Sequence, residues 1–175
     1  MLHDISKPET YSTDENGHGH FYRHEEVGSV KVREVLSNLR FSADMISDVS
    51  KIVEEHLRPQ NNNDRTLRRF AAEMGDLTDD ALACREADLF AHAGHISTTA
   101  RAVVDDFRAR IATLPVKGFT VADVALRGDV IREKFPGVNG RDIGVMKNIC
   151  LKAVIDGEVE NTEEALINFL RKRGS

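Results

Sequence analysis

The chain has 175 residues, 41% hydrophobic and 30% charged, a balance that suits one soluble globular domain or one domain with a tail. Its formal net charge of -5 argues against broad non-specific nucleic-acid binding, although a local basic patch on an acidic body is still compatible with it. The absence of Trp argues against a large aromatic core or stacking platform, and without a membrane-length apolar run or an apolar signal core the expected location is cytoplasmic.

The chain opens on Met1-Leu2-His3-Asp4-Ile5-Ser6-Lys7-Pro8, an adjacent His-Asp pair with a lysine three residues on. Residues 9–23 read as a polar loop with a turn signal at Asn16-Gly17, flanked by short extended segments at Thr10–Ser12 and His20–Tyr22 that can pair as a hairpin. From His24 to about Leu39, Val27, Val30, Val32, Val35, Leu36 and Leu39 recur at helical spacing. Ser42 caps a second helix with Met45, Ile46, Val49, Ile52, Val53 and Leu57 on one face, stopped by Pro59 and the asparagine run. Asn63 or Asp64 caps a third helix carrying Leu67, Phe70 and Met74. Thr78 begins a fourth, with Leu82, Ala83, Ala87, Leu89 and Phe90, and Gly94 ends it. A long helix is expected from about Ile96 to Leu114, then a hinge at Pro115–Gly118. Shorter helices follow at about Val121–Ala125, Asp129–Phe135, Arg141–Asp156 and Thr162–Lys172. Gly137, Gly140 and Gly144 read as turn and close-packing glycines. Cys84 and Cys150 form no Cys-x-x-Cys pair and read as two reduced thiols.

The fold class is therefore all-α, a helical bundle with a small β-hairpin insertion and a short helical tail. The expected division is a main domain over residues 1–114 and a tail over 115–175.

The chemistry lies in the histidines and carboxylates. Imidazole nitrogen and carboxylate oxygen both suit borderline and hard divalent ions. His3 and Asp4 are neighbours, His24 opens one helix, His56 closes the next, and Asp88 sits within a later one. In a helical bundle such residues can converge on one interior point, where a metal would polarise a phosphoryl oxygen. Lys7 would add positive charge beside that phosphate. Glu25 is a candidate general base or a solvated helix-start carboxylate. His18 and His20 read as surface or substrate-proximal groups, and His92 and His95 as helix-end residues. Arg58, Arg65, Arg68 and Arg69 cluster around the asparagine loop, either as a solvated charged face or as a phosphate-contacting patch that positions RNA without reading bases.

His3-Asp4-Ile5-Ser6-Lys7-Pro8 followed by Gly19-His20-Phe21-Tyr22-Arg23-His24-Glu25-Glu26-Val27-Gly28 resembles the HD superfamily of metal-dependent phosphohydrolases, and in particular the HD region of bacterial CCA-adding tRNA nucleotidyltransferases. Leu39-Arg40-Phe41-Ser42, Ile52–Pro59, Leu67-Arg68-Arg69-Phe70 and Ala87–His92 are similar to the same enzymes. So are Lys117–Thr120, Gly140–Gly144, Asp156–Asn161 and Thr162–Ala165 in the tail. The resemblance implies that His3 and Asp4 are the metal-binding doublet, Asp88 the late carboxylate, and His24 and His56 additional histidines. It implies a divalent cofactor (Mg, Mn, Ni, Fe or Zn) and hydrolysis of a nucleotide or RNA phosphoester, with tRNA contact through the tail. The nucleotidyltransferase head and the histidine that precedes the doublet have no counterpart in these residues. A first helix cut to a few residues is thus expected, held by packing of Leu2 and Ile5. The groove it leaves would suit dimerisation or partner docking. Binding of tRNA or a partner without catalysis is the rival expectation.

Overall fold

A computed structural model describes residues 2–59, 61, 63–93 and 98–173. Among them the regular structure is helical apart from one hairpin, so the all-α expectation holds. A short helix α1 (Lys7–Thr10) leads into strands β1 (Tyr11–Thr13) and β2 (Gly19–Phe21). Helices α2 (His24–Asn38), α3 (Ala43–Glu55), α4 (Asp64–Met74), α5 (Thr78–Ala93), α6 (Thr98–Ala112), α7 (Gly128–Lys134), α8 (Gly140–Asp156) and α9 (Glu163–Arg173) follow. The predicted stop at Gly94, the histidine at His95 and the start at Ile96 lie outside the described residues. No described helix is long and apolar enough to cross a membrane.

Contacts divide the chain into two compact units, Met1–Asn61 with Leu77–Arg108, and Asn62–Asp76 with Ala109–Ser175. The second unit takes in the predicted tail and also α4.

In the first unit α2 packs on α3 around Val32, Leu36 and Val53, with Ile46 and Val49 alongside. Leu2 and Ile5 pack against this cluster, so the N-terminal turn is held by tertiary burial rather than by its own helicity. The expected apolar stripe of α2 is rotated. His24, Gly28, Ser29, Val32 and Leu36 are buried, whereas Val27, Val30 and Leu39 are exposed. Likewise α5 buries Ala81, Leu82 and Asp88, while Ala83 and Ala87 face water. In both helices the inward face also carries polar groups of one site, so hydropathy alone finds only part of it.

The hairpin forms one residue out from the expected strands, pairing Tyr11 with Phe21 and Thr13 with Gly19. Asp14 organises its tip. Its Oδ1 accepts from the backbone N–H groups of Asn16 and His18, each at 2.9 Å, and Gly17 supplies a φ of 80°.

In the second unit α8 is the centre, contacted by α4, α7, α9 and the 3₁₀ turn Val121–Asp123. Its core holds Leu126, Ile131, Cys150, Val154, Leu166 and Leu170. Leu67, Phe70, Ala71 and Met74 give α4 a buried face of the same unit. The expected caps are present: Ser42 accepts from the Met45 N–H and Asn63 from that of Thr66. Asn139, not among the expected caps, forms a capping box with Asp142. Gly140 and Gly144 have open space where a Cβ would sit, so they are not the close-packing glycines expected.

Candidate metal centre

Five polar side chains of the first unit gather beneath the hairpin. His3 and Asp4 come from the N-terminal turn, His24 from the start of α2, His56 from the C-cap of α3 and Asp88 from α5. All but Asp4 are buried, with His56 only 1% exposed.

The backbone explains the placement. Successive turns, with Ile5 N–H bonded to the Leu2 carbonyl and Lys7 N–H to that of Asp4, carry the doublet over α2. The Ser6 hydroxyl donates to the His24 carbonyl and ties the two segments together. Gly28 makes room for this. A Cβ there would stand 3.2 Å from Ser6 Oγ and 3.4 Å from Val53 Cγ1.

Two imidazoles are oriented by the main chain. The Nδ1 of His24 lies 2.8 Å from the Phe21 carbonyl and that of His56 lies 2.6 Å from the Val53 carbonyl. A carbonyl only accepts, so each ring carries a proton on Nδ1, and the neutral form presents a bare Nε2. Those two Nε2 atoms face each other at 3.3 Å. Asp4 Oδ1 stands 3.6 Å from the Nε2 of His24 and 4.0 Å from that of His56, and it is buried without a hydrogen-bond partner. On the other side, His3 Nε2 lies 3.3 Å from Asp4 Oδ2 and 3.4 Å from Asp88 Oδ1.

This donor set fits a cation. Ligands about 2.0–2.2 Å from one ion stand roughly 3–3.5 Å from each other, close to the separations here. Two ligand groups are formed, Asp4 with His24 and His56, and His3 with Asp4 and Asp88, and Asp4 belongs to both. The Nδ1–carbonyl bonds are the outer support that metal-binding histidines normally have. An orphaned carboxylate oxygen facing bare imidazole nitrogens is costly without a positive charge between them.

Protonation states agree with ligation. Burial pushes the Asp4 carboxyl upward, but the hydrogen bond and the charge of Lys7 outweigh it and hold the group below the usual carboxylate range. Lys7 Nζ donates to Asp4 Oδ2 at 2.7 Å. Burial pushes the His56 imidazole below its ordinary value, only partly offset by its bond to Val53. Burial also raises the Cys84 thiol, helped by the charges of Asp88 and Asp4.

The remaining sequence candidates fall elsewhere. Glu25 approaches the Nδ1 edge of His24 at 3.5 Å, the edge turned away from Asp4. Arg58 pairs with Glu55 in the first unit. In the second unit Arg65 and Arg69 bind Asp156, Arg65 also reaches Glu158, and Arg68 donates to the carbonyls of Val154 and Ile155. These arginines close the C-terminus of α8 onto α4. Sequence reasoning missed Arg85, whose Nη1 lies 3.6 Å from Asp88 Oδ2. Its position three residues before Asp88 on the same helix was the available signal.

The HD domain family matches residues 1–93. This chain belongs to the HD domain family. HD domains are metal-dependent hydrolases that bind divalent ions, and the HD domain here presents ligand groups suited to that task. The CC-adding tRNA nucleotidyltransferase of Thermus thermophilus is 28% identical over 176 aligned positions, covering 99% of this chain and 39% of the relative. The A-adding tRNA nucleotidyltransferase of Deinococcus radiodurans is 28% identical over 99 residues, 56% of this chain and 23% of the relative. The chain thus spans less than half the length of the curated relatives it matches. No solved structure matches the chain significantly.

Proposed function

We propose that this HD domain is a metal-dependent phosphohydrolase acting on a phosphoester of a nucleotide or an RNA end, as a phosphomonoesterase or a cyclic phosphodiesterase in the cytoplasm. The observation that carries the reading is Asp4, a carboxylate shared by two ligand groups with one oxygen left without a hydrogen bond. His3, Asp4 and Asp88 would hold one divalent ion, and His24 and His56 with Asp4 a second ion or a phosphate. Three imidazoles among five donors favour a borderline ion such as Mn, Fe, Ni or Zn over Mg. A divalent ion supplies Lewis acidity, polarising a phosphoryl oxygen and making water a better nucleophile. Lys7 holds Asp4 ionised and brings positive charge to the phosphate's side of the site. Burial of His56 keeps it neutral and therefore able to bind a cation.

The test is hydrolysis of p-nitrophenyl phosphate and of bis(p-nitrophenyl) phosphate with added manganese or nickel, by wild type and by Asp4→Ala. Turnover that disappears in Asp4→Ala supports the reading. A wild type that holds no metal and shows no Asp4-dependent turnover contradicts it.

A second reading, tRNA contact without catalysis, is favoured by the match to the CC-adding relative along 99% of the chain. Filter binding of tRNA across a salt series tests it, and no binding at low salt removes it.

A further inference from the structure

The same unit holds a cleft of about 460 Å³ that opens onto Asp88, His24 and His56. Its lining combines cations with aromatic and apolar groups. Lys7 and Arg85 line it, each beside a carboxylate of the candidate centre, with Lys7 Nζ at 2.7 Å from Asp4 and Arg85 Nη1 at 3.6 Å from Asp88. Residues 19–22 of the hairpin, Leu57 and Leu89 line it as well.

Aromatic residues are few in this chain, yet two rings stack at this rim. His20 and Tyr22 lie 5.0 Å apart between centroids, 14° from parallel. Asp14 Oδ2 fixes the pair by accepting from His20 Nε2 at 3.2 Å. Tyr22 is 68% exposed, so its ring contributes little to the core. Phe21 carries the Lys7 ammonium 5.6 Å from its ring centroid, so one of the cleft's cations sits against the hairpin.

We infer that the hairpin is a nucleobase-recognition element: Tyr22, backed by His20, stacks on the base while Arg85 and Lys7 take the phosphate, so the site selects nucleotides over base-free phosphoesters. This rests on the proposed hydrolase reading and names its substrate class. A flat π surface and two cations lining one small cleft match a molecule with a planar base and a phosphate. The volume falls within the roughly 300–1,000 Å³ typical of small-molecule sites. It suits one nucleotide, free or at a strand end, rather than a duplex.

Equilibrium dialysis at 4 °C of the manganese-loaded full chain would compare adenosine 5′-monophosphorothioate with ribose 5-phosphate. Base stacking predicts a preference of about 5- to 100-fold for the nucleotide in wild type. Tyr22→Ala should abolish that preference, while Tyr22→Phe should keep it. Arg85→Gln should weaken both ligands by the same factor, about tenfold or more. A wild type without preference, or Tyr22→Ala with its preference intact, overturns the inference. Turnover of p-nitrophenyl phosphate and bis(p-nitrophenyl) phosphate is measured on the same samples. Turnover without base preference sinks base recognition alone, and base preference without turnover sinks the hydrolase reading and upholds recognition.

Discussion

The Nε2 atoms of His24 and His56 face each other at 3.3 Å while both Nδ1 atoms donate to backbone carbonyls. Neither ring can donate to the other without giving up its carbonyl. The pair is thus arranged to accept a positive charge, and Asp4 Oδ1 supplies the balancing anion 3.6 Å from His24. Nitrogen-detected histidine spectra are expected to show the Nδ1–H tautomer for both rings at neutral pH, with Nε2 signals that move when manganese is replaced by diamagnetic zinc. An Nε2–H tautomer at either ring contradicts this arrangement.

Gly28 separates stability from site assembly. Gly28→Ala gains about 0.8–1 kcal/mol of helix propensity. Its new methyl group lies 3.2 Å from Ser6 Oγ and pushes the turn that carries the doublet. Stability is expected to stay nearly level while metal affinity drops. Gly28→Val adds bulk toward Val53 and should cost about 1–3 kcal/mol as well. Urea melts and metal titrations read the two effects separately, and unchanged metal affinity in both variants would refute this seating of the turn.

Helix starts were the most legible feature of the sequence, because Ser42 and Asn63 act locally on the next turn. The all-α class and the hairpin were legible for the same reason. The inward faces of α2 and α5 were not. His24, Ser29 and Asp88 occupy buried positions that hydropathy assigns to water, and only tertiary contacts reveal why. The five ligand candidates were legible through the family resemblance, whereas their separations needed the fold. A short first helix and the packing of Leu2 and Ile5 were legible, but α1 starts only at Lys7, after the doublet, which is carried by the preceding turns. The partner of Arg65 and Arg69 was equally hidden, since Asp156 lies 91 and 87 residues away in sequence.

Asp156 gives the second unit a defined acid sensitivity. Hydrogen bonds from Arg69 and Arg65 hold its carboxyl well below the usual carboxylate range. A folded pKa below the unfolded one contributes fully above the unfolded value, about 3.9 for Asp. That contribution fades as pH falls through the folded value. Asp156→Asn is therefore expected to unfold at a lower urea midpoint at pH 7, with the gap to wild type closing progressively below about pH 4. A pH-independent gap would show that the pairing does not titrate with folding.

Asp14 is expected to act on substrate without touching the metal. Its two oxygens hold the hairpin tip and His20. Asp14→Ala should weaken nucleotide binding by about 2- to 10-fold, the range of one or two hydrogen bonds. Manganese affinity should be unchanged. Equal losses in both titrations would mean that the hairpin supports the metal centre rather than the base.

Manganese titration followed by electron paramagnetic resonance addresses the convergence of these side chains most directly. Asp4 belongs to both ligand groups and Asp88 to one. Wild type is expected to bind the ion, Asp4→Asn to fall to background, and Asp88→Asn to retain part of the binding. Manganese bound equally well by wild type and Asp4→Asn would contradict a centre built on this carboxylate.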